Sequence, residues 1–213
     1  NNGYVSEEYC RKLAKEVFRT TAYYDSIIFN YFDKNEIYQD FPEIFTIGFR
    51  KEFSLRYGEN PHQKSALYGE FQKIFSILHG KELSYNNILD ISSAVNLMLE
   101  FDTPAAIIVK HNNPCGVGLG DNIYSAYENA LSTDPKSAFG GIIALNRPID
   151  INTANKINEI FSEVIISPDF SNEVFEILKK KKDRRLIKFN IENYTKEKFQ
   201  IRNVIGGYLV QDI

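Results

Sequence analysis

Five consecutive apolar residues, Ala105–Val109, run without transition into Lys110-His111-Asn112-Asn113-Pro114-Cys115-Gly116. No other feature limits the fold so tightly. A strand that is apolar at every position has both faces covered, and such strands belong to parallel sheets sandwiched between helices. The run is therefore expected in a sheet covered on both sides. Its abrupt end delivers a cation and an imidazole to the sheet edge, and in open α/β sheets ligands bind outside the carboxyl ends of strands.

The rest of the chain alternates helical and strand-like patterns around that core. Ser6–Phe32 reads as a helix with Leu13, Val17, Ala22, Ile27, Ile28 and Tyr31 on one face. Tyr23, Tyr24, Phe29 and Phe32 add more aromatic surface than a solvated helix carries, so this helix is expected to pack against another surface, either within this chain or outside it. Asp33–Pro42 reads as a linker, Ile44–Phe49 as a strand, and Leu55–Gln63 as a loop. Short apolar pieces follow at Ala66–Tyr68 and Ile74–Leu78. A helix is expected over Tyr85–Glu100, stopped by Asp102-Thr103-Pro104 because the residue before proline avoids the helical region. After an Asn/Gly-rich loop come a helix at Tyr124–Leu131, a strand at Ile142–Leu145, and a helix capped by Asn152 and ending near Phe161. Strands at Val164–Ile166 and Leu186–Phe189 flank a helix at Glu173–Lys181, and Tyr208–Val210 reads as a last strand. This order is that of an α/β layered domain.

Composition narrows the function. A chain of 213 residues is long enough for a real core, and its net charge of −3 argues against a broad nucleic-acid footprint. The only basic cluster, Lys179–Lys182 with Arg184 and Arg185, is read as closing a helix and staying solvated, with phosphate binding as the alternative. Cys10 and Cys115 form no disulfide pattern, which fits a reducing, cytoplasmic compartment. No run approaches the ~18 apolar residues of a membrane span, so no membrane partner is expected.

The candidate chemistry lies in four places. An imidazole such as that of His111 can take a proton from a weak nucleophile, while Lys110 can offset the charge of a tetrahedral intermediate. As strand neighbours they point apart unless the backbone bends at Asn112-Asn113-Pro114; the bland alternative is a solvated strand end. Pro114-Cys115 invites a zinc reading, but the residue two after His111 is Asn113, not Glu, and the residue three after Cys115 is Gly118, not Cys, so a zinc deaminase site is rejected. Cys115 reads as a small buried residue. Arg56 suits a phosphate and Tyr57 a flat ring, although an exposed Arg-Tyr pair is common; His62 is similarly ambiguous. Gly140 and Gly141 would let backbone approach a ligand.

Taken together, L-R-Y-G-E-N-P-H-Q (Leu55–Gln63), G-K-E-L-S-Y-N-N (Gly80–Asn87), V-K-H-N-N-P-C-G (Val109–Gly116), D-P-K-S-A-F-G-G (Asp134–Gly141), E-V-I-I-S-P (Glu163–Pro168) and G-G-Y-L-V-Q-D (Gly206–Asp212) carry a specific resemblance. In this order they resemble the bacterial bifunctional purine biosynthesis family, which joins an IMP cyclohydrolase domain to an AICAR transformylase domain. The resemblance implies a layered α-β-α, cytidine-deaminase-like fold. Residues 43–213 would form the first of two related halves of the transformylase, and residues 1–42 the helical tail of the preceding cyclohydrolase domain with its linker.

It also implies the reaction: formyl transfer from 10-formyltetrahydrofolate, as co-substrate, to the 5-amino group of AICAR, with no metal. Lys110 and His111 match the catalytic pair. Arg56, Tyr57, Gly140 and Glu163 match nucleotide contacts, the last being Asp in some members. The family's chain is more than twice as long and dimeric, so a homodimer is expected of the full-length protein. Most of the cyclohydrolase would precede Asn1 and the second transformylase half would follow Ile213. Alone, the segment is expected to lack cyclohydrolase activity and to bind nucleotide or serve as an assembly half.

Overall fold

Helix starts along this chain are set by short polar side chains. Ser84, Asn122, Asp134, Asp150 and Ser171 each accept a hydrogen bond from the backbone N–H three residues on, satisfying a donor that the helix itself leaves free. The structure, a computed structural model, describes residues 3–33, 41–196 and 198–213. It opens with α1 (Glu7–Asp33), β1 (Lys51–Leu55), β2 (Ser65–Tyr68), α2 (Phe71–Ile74), β3 (Phe75–His79) and α3 (Tyr85–Met98). The centre holds β4 (Ala105–Lys110), β5 (Asn113–Leu119), α4 (Ile123–Thr133), α5 (Pro135–Ala138) and β6 (Ile142–Leu145). It closes with α6 (Ile151–Asn158), β7 (Val164–Ser167), α7 (Asn172–Leu178), β8 (Arg185–Phe189), β9 (Phe199–Val204) and β10 (Gly207–Asp212).

The chain divides into two compact units. The first comprises Asn1–Phe53 with Leu67–Gly69, and the second Ser54–Ala66 with Glu70–Ile213. In the first, the extended segment after Phe41 lies along α1. Asn30 Nδ2 donates to Thr46 O at 3.1 Å, the Arg50 guanidinium sits 4.8 Å from the Tyr23 ring centre, and Gly48 leaves no room for a Cβ beside Ser26 Oγ. Of the four aromatics, Tyr23 packs here, while Tyr24, Phe29 and Phe32 remain exposed, so this segment covers only part of the aromatic surface of α1. The expected strand at Ile44–Phe49 does not form, because its neighbour is a helix and offers no ladder. Most of the expected linker, residues 34–40, lies outside the described residues.

The second unit is a layered α-β-α body. Six strands form one sheet in the order β3-β8-β7-β6-β4-β5. The helices α4, α6 and α7 cover one face, where Ala106, Ile108, Tyr127, Ile143, Ile157, Ile165 and Leu186 form the core; α3 covers β4 and β6 from the other. Ala105–Val109 are at most 1% exposed, so the expected burial on both faces holds. The expected parallel pairing does not: β4 runs antiparallel to both β5 and β6, and only β6-β7 and β7-β8 are parallel. An apolar run reports how well a strand is covered, and says nothing about which way its neighbours run.

Three further expectations are corrected. The Asn/Gly-rich loop is strand β5, and β9 is a strand that pairs antiparallel with β10. The α6 cap is Asp150 rather than Asn152. Arg184 is fully buried, not solvated. Its guanidinium donates to Ile160 O (3.3 Å), Ser162 O (3.4 Å) and Leu178 O (3.4 Å), and to Asn158 Oδ1. Ile160 O and Leu178 O lie at the carboxyl ends of α6 and α7, where a cation is favoured. Burial pulls the Arg184 pKa down to about 10, which still leaves it charged.

Candidate active site

Lys110 and His111 reach the sheet edge as predicted, and the backbone there turns sharply. β4 and β5 are joined by a two-residue hairpin, with Lys110 opposite Asn113. Both linking residues are left-handed, His111 at φ 51° and Asn112 at φ 63°. Two successive positive φ values are those of a type I′ turn, the connection that matches strand twist. Glycine usually fills it; His and Asn tolerate the region better than most residues, at a cost in strain. Asn113 Nδ2 donates to His111 O at 2.9 Å, tightening the turn. Just beyond, the pairing skips from Ile108–Gly116 to Val109–Pro114, which leaves Cys115 as a bulge. Its thiol donates to Ile108 O and its pKa is pushed up by burial, mostly, with the Asp134 charge adding. Such a thiol is a packing group rather than a nucleophile.

The turn opens onto a cavity of about 450 Å³, within the range of small-ligand clefts. β4 and β3 reach it as the rule for open sheets suggests, by their carboxyl ends. Because β6, β7 and β8 run the opposite way, they present their amino ends. Gly140 lies just before β6, Glu163 just before β7, and Arg185 opens β8. Lys81 follows β3, and the first turns of α3 supply Ser84, Asn87 and Asp90.

The cavity's polar groups are cross-linked. Lys110 Nζ donates to Phe139 O at 2.8 Å, and Gly140 holds φ 74° with open space where a Cβ would stand. Asn87 closes a reciprocal capping box with Ser84, and its Nδ2 donates to Glu163 Oε2 at 3.1 Å. Arg185 reaches the same oxygen at 3.8 Å and donates to Glu82 O at 2.8 Å; Lys81 pairs with Asp183 at 2.9 Å. Asp90 Oδ1 accepts the Asn112 N–H at 2.6 Å. Burial raises the Asp90 pKa and outweighs the lowering by the Asn112 N–H and by His111, while the Glu163 charge raises it further.

Of the six residues singled out from sequence, Lys110, His111, Tyr57, Gly140 and Glu163 line this one cavity. Arg56 does not; it is exposed, with its guanidinium 5.8 Å from the centre of the Tyr57 ring. Asn87 and Asp90, also in the lining, carry no site reading in the sequence, and Arg185 carries only the alternative phosphate reading of the basic cluster. A signal for Asp90 existed: it is the one charged residue in the fourteen of α3. Among the described residues, no group of three or more His, Cys, Asp or Glu could hold a metal ion, and no helix is long and apolar enough to cross a membrane.

Comparison with known proteins matches residues 1–213 to the family model described as the AICARFT/IMPCHase bienzyme. The chain is 51% identical over 217 residues to "Bifunctional purine biosynthesis protein PurH" of Bacillus cereus (strain B4264), covering 99% of this chain and 42% of the relative. It is 50% identical over 216 residues to the protein of the same name from Thermoanaerobacter sp. (strain X514), again covering 42% of the relative. The chain thus spans about two fifths of the length of these curated relatives.

Proposed function

Since this chain belongs to the AICARFT/IMPCHase bienzyme family, we propose that residues 43–213 form the first half of an AICAR transformylase. Residues 1–42 are then the tail of the preceding cyclohydrolase domain and its linker. The activity is formyl transfer from 10-formyltetrahydrofolate to the 5-amino group of AICAR, giving FAICAR in purine biosynthesis, by a cytoplasmic homodimer that needs no metal. Cyclohydrolase activity belongs to the remainder of the bienzyme. The observation that supports this reading most is the type I′ turn that puts Lys110 and His111 together on a cavity they share with Tyr57, Gly140 and Glu163.

The chemistry requires such a pair. The AICAR amine is conjugated with its ring and carboxamide, so its lone pair is poorly available. In the proposed step its nitrogen attacks the formyl carbon, the carbonyl electron pair moves onto oxygen, and His111 accepts the proton released by nitrogen. Collapse of the adduct breaks the bond to the folate nitrogen, which departs with a proton. An ammonium has three donors, and Phe139 O engages one on Lys110. The others are free to meet the developing oxyanion. Tyr57 and Gly140 supply a ring face and an open backbone for the nucleotide, and Glu163 completes the set that lines the cavity; Arg56, outside the cavity lining, is kept as a nucleotide contact on the family resemblance alone.

The test is His111→Ala in the full-length bienzyme carrying this segment. Turnover should fall about 10²–10⁴-fold, the contribution of a general base, while AICAR affinity stays nearly unchanged. Near-normal turnover would remove His111 from the reaction.

A further inference from the structure

The His111–Asn112 turn is a two-residue link with no glycine, and it is held from outside the hairpin. Asp90, in the second turn of α3, accepts the Asn112 N–H at 2.6 Å. Ser93, three residues further along the same helix, hydrogen-bonds Asn112 Oδ1. Residues three apart on a helix lie on one face, so α3 grips both the backbone and the side chain of Asn112. α3 is itself fixed by the Ser84–Asn87 capping box, and Asn87 ties that box to Glu163 across the cavity.

We propose that Asp90 is a positioning residue for His111: by accepting the Asn112 N–H it holds the turn left-handed and aims the imidazole into the cavity, with Ser93 as the second point of the clamp. This rests on the reading of His111 as the general base. A strained two-residue turn has alternatives that relieve both positive φ values, and any of them swings the imidazole away. The helix contacts select the strained form, and the cost is borne where function needs it. The burial that raises the Asp90 pKa fits a carboxylate kept in place for a contact rather than for solvation. Asp90 acts through Asn112 and forms no bond with the reacting atoms.

The experiment compares Asp90→Ala, Asp90→Asn and Ser93→Ala with wild type and His111→Ala in the full-length bienzyme, measuring kcat, KM for AICAR, and direct AICAR binding. Asp90→Ala should lower kcat about tenfold to a hundredfold, the cost of misplacing a catalytic group by about an ångström. AICAR affinity should change by less than about twofold, because the binding groups lie on other elements. Asp90→Asn keeps an acceptor oxygen in the same place and should recover most of kcat. Wild-type kcat in Asp90→Ala overturns the proposal, as does a parallel loss of AICAR binding, which would mark a merely structural role. An Asp90→Asn enzyme as impaired as Asp90→Ala also overturns it. Should Asp90→Ala not fold, Ser93→Ala decides: a fall in kcat at constant affinity supports the clamp, and unchanged kcat overturns it. His111→Ala separates the two readings, since its full activity would sink the general-base assignment whatever Asp90 does.

Discussion

At the scale of single residues, the cavity is not arranged for stability. Asp90 is desolvated, with Glu163 adding charge of the same sign, and its folded pKa stands above the ordinary carboxylate value. A raised pKa means that the folded state holds the proton more tightly than the unfolded state does. The stability this supplies is complete below the unfolded pKa of about 4 and is lost as pH rises through the folded value. Asp90→Asn has no such loss and keeps the acceptor for Asn112. The variant should therefore melt above wild type near pH 7, with the gap closing as pH falls toward 4. Thermal melts across that window check it; a gap that is constant with pH, or a less stable variant at pH 7, would contradict the linkage. The same substitution restores an oxygen to the turn, so stability and kcat are independent readouts of one side chain.

Among elements, the interface of β5 with α4 shows a neighbour dictating sequence. A Cβ on Gly118 would lie 2.2 Å from both Ala126 O and Ala130 N, and one on Gly116 would lie 2.2 Å from Ala130 O. These contacts are to helix backbone, which cannot rotate aside as a side chain can. Gly118→Ala should therefore destabilise the fold by about 1–3 kcal/mol or more, as overpacking does, and lower the urea midpoint of unfolding. A midpoint equal to wild type would mean that α4 moves freely off the strand. Here lies the limit of reading this fold from sequence. Elements that answer to their own backbone were legible: β4, β6, β7 and β8 by their apolar runs, and α3 by its period and its proline stop. Asn113–Leu119 reads as a loop in sequence because glycines placed for an approaching helix look like turn residues. The site divides the same way. Lys110 and His111 are contiguous with a strand end and were readable; Asp90 meets Asn112 twenty-two residues later, across a hairpin whose turn type no spacing announces.

On the scale of the whole molecule, the carboxyl-terminal ribbon bears on what the chain can do alone. Among the described residues β9 and β10 pair only with each other, and a two-stranded ribbon is marginal in water without a partner. Its residues are nevertheless apolar and exposed, Val204, Tyr208 and Leu209 on the strands and Ile205 at the tip. Exposed apolar surface of this kind marks a contact face. The relatives carry more than twice this length of chain, and in the proposed transformylase a second half would supply the remaining nucleotide and folate contacts. The isolated 213-residue chain should therefore self-associate at micromolar concentration and transfer no formyl group. Tyr208→Ser with Leu209→Ser should shift it toward monomer in sedimentation velocity without altering AICAR binding, because neither residue lines the cavity. A chain that stays monomeric before the substitutions would show that the ribbon is tolerated uncovered. Formyl transfer by the isolated chain would show that Lys110 and His111 need nothing beyond the cavity they already share.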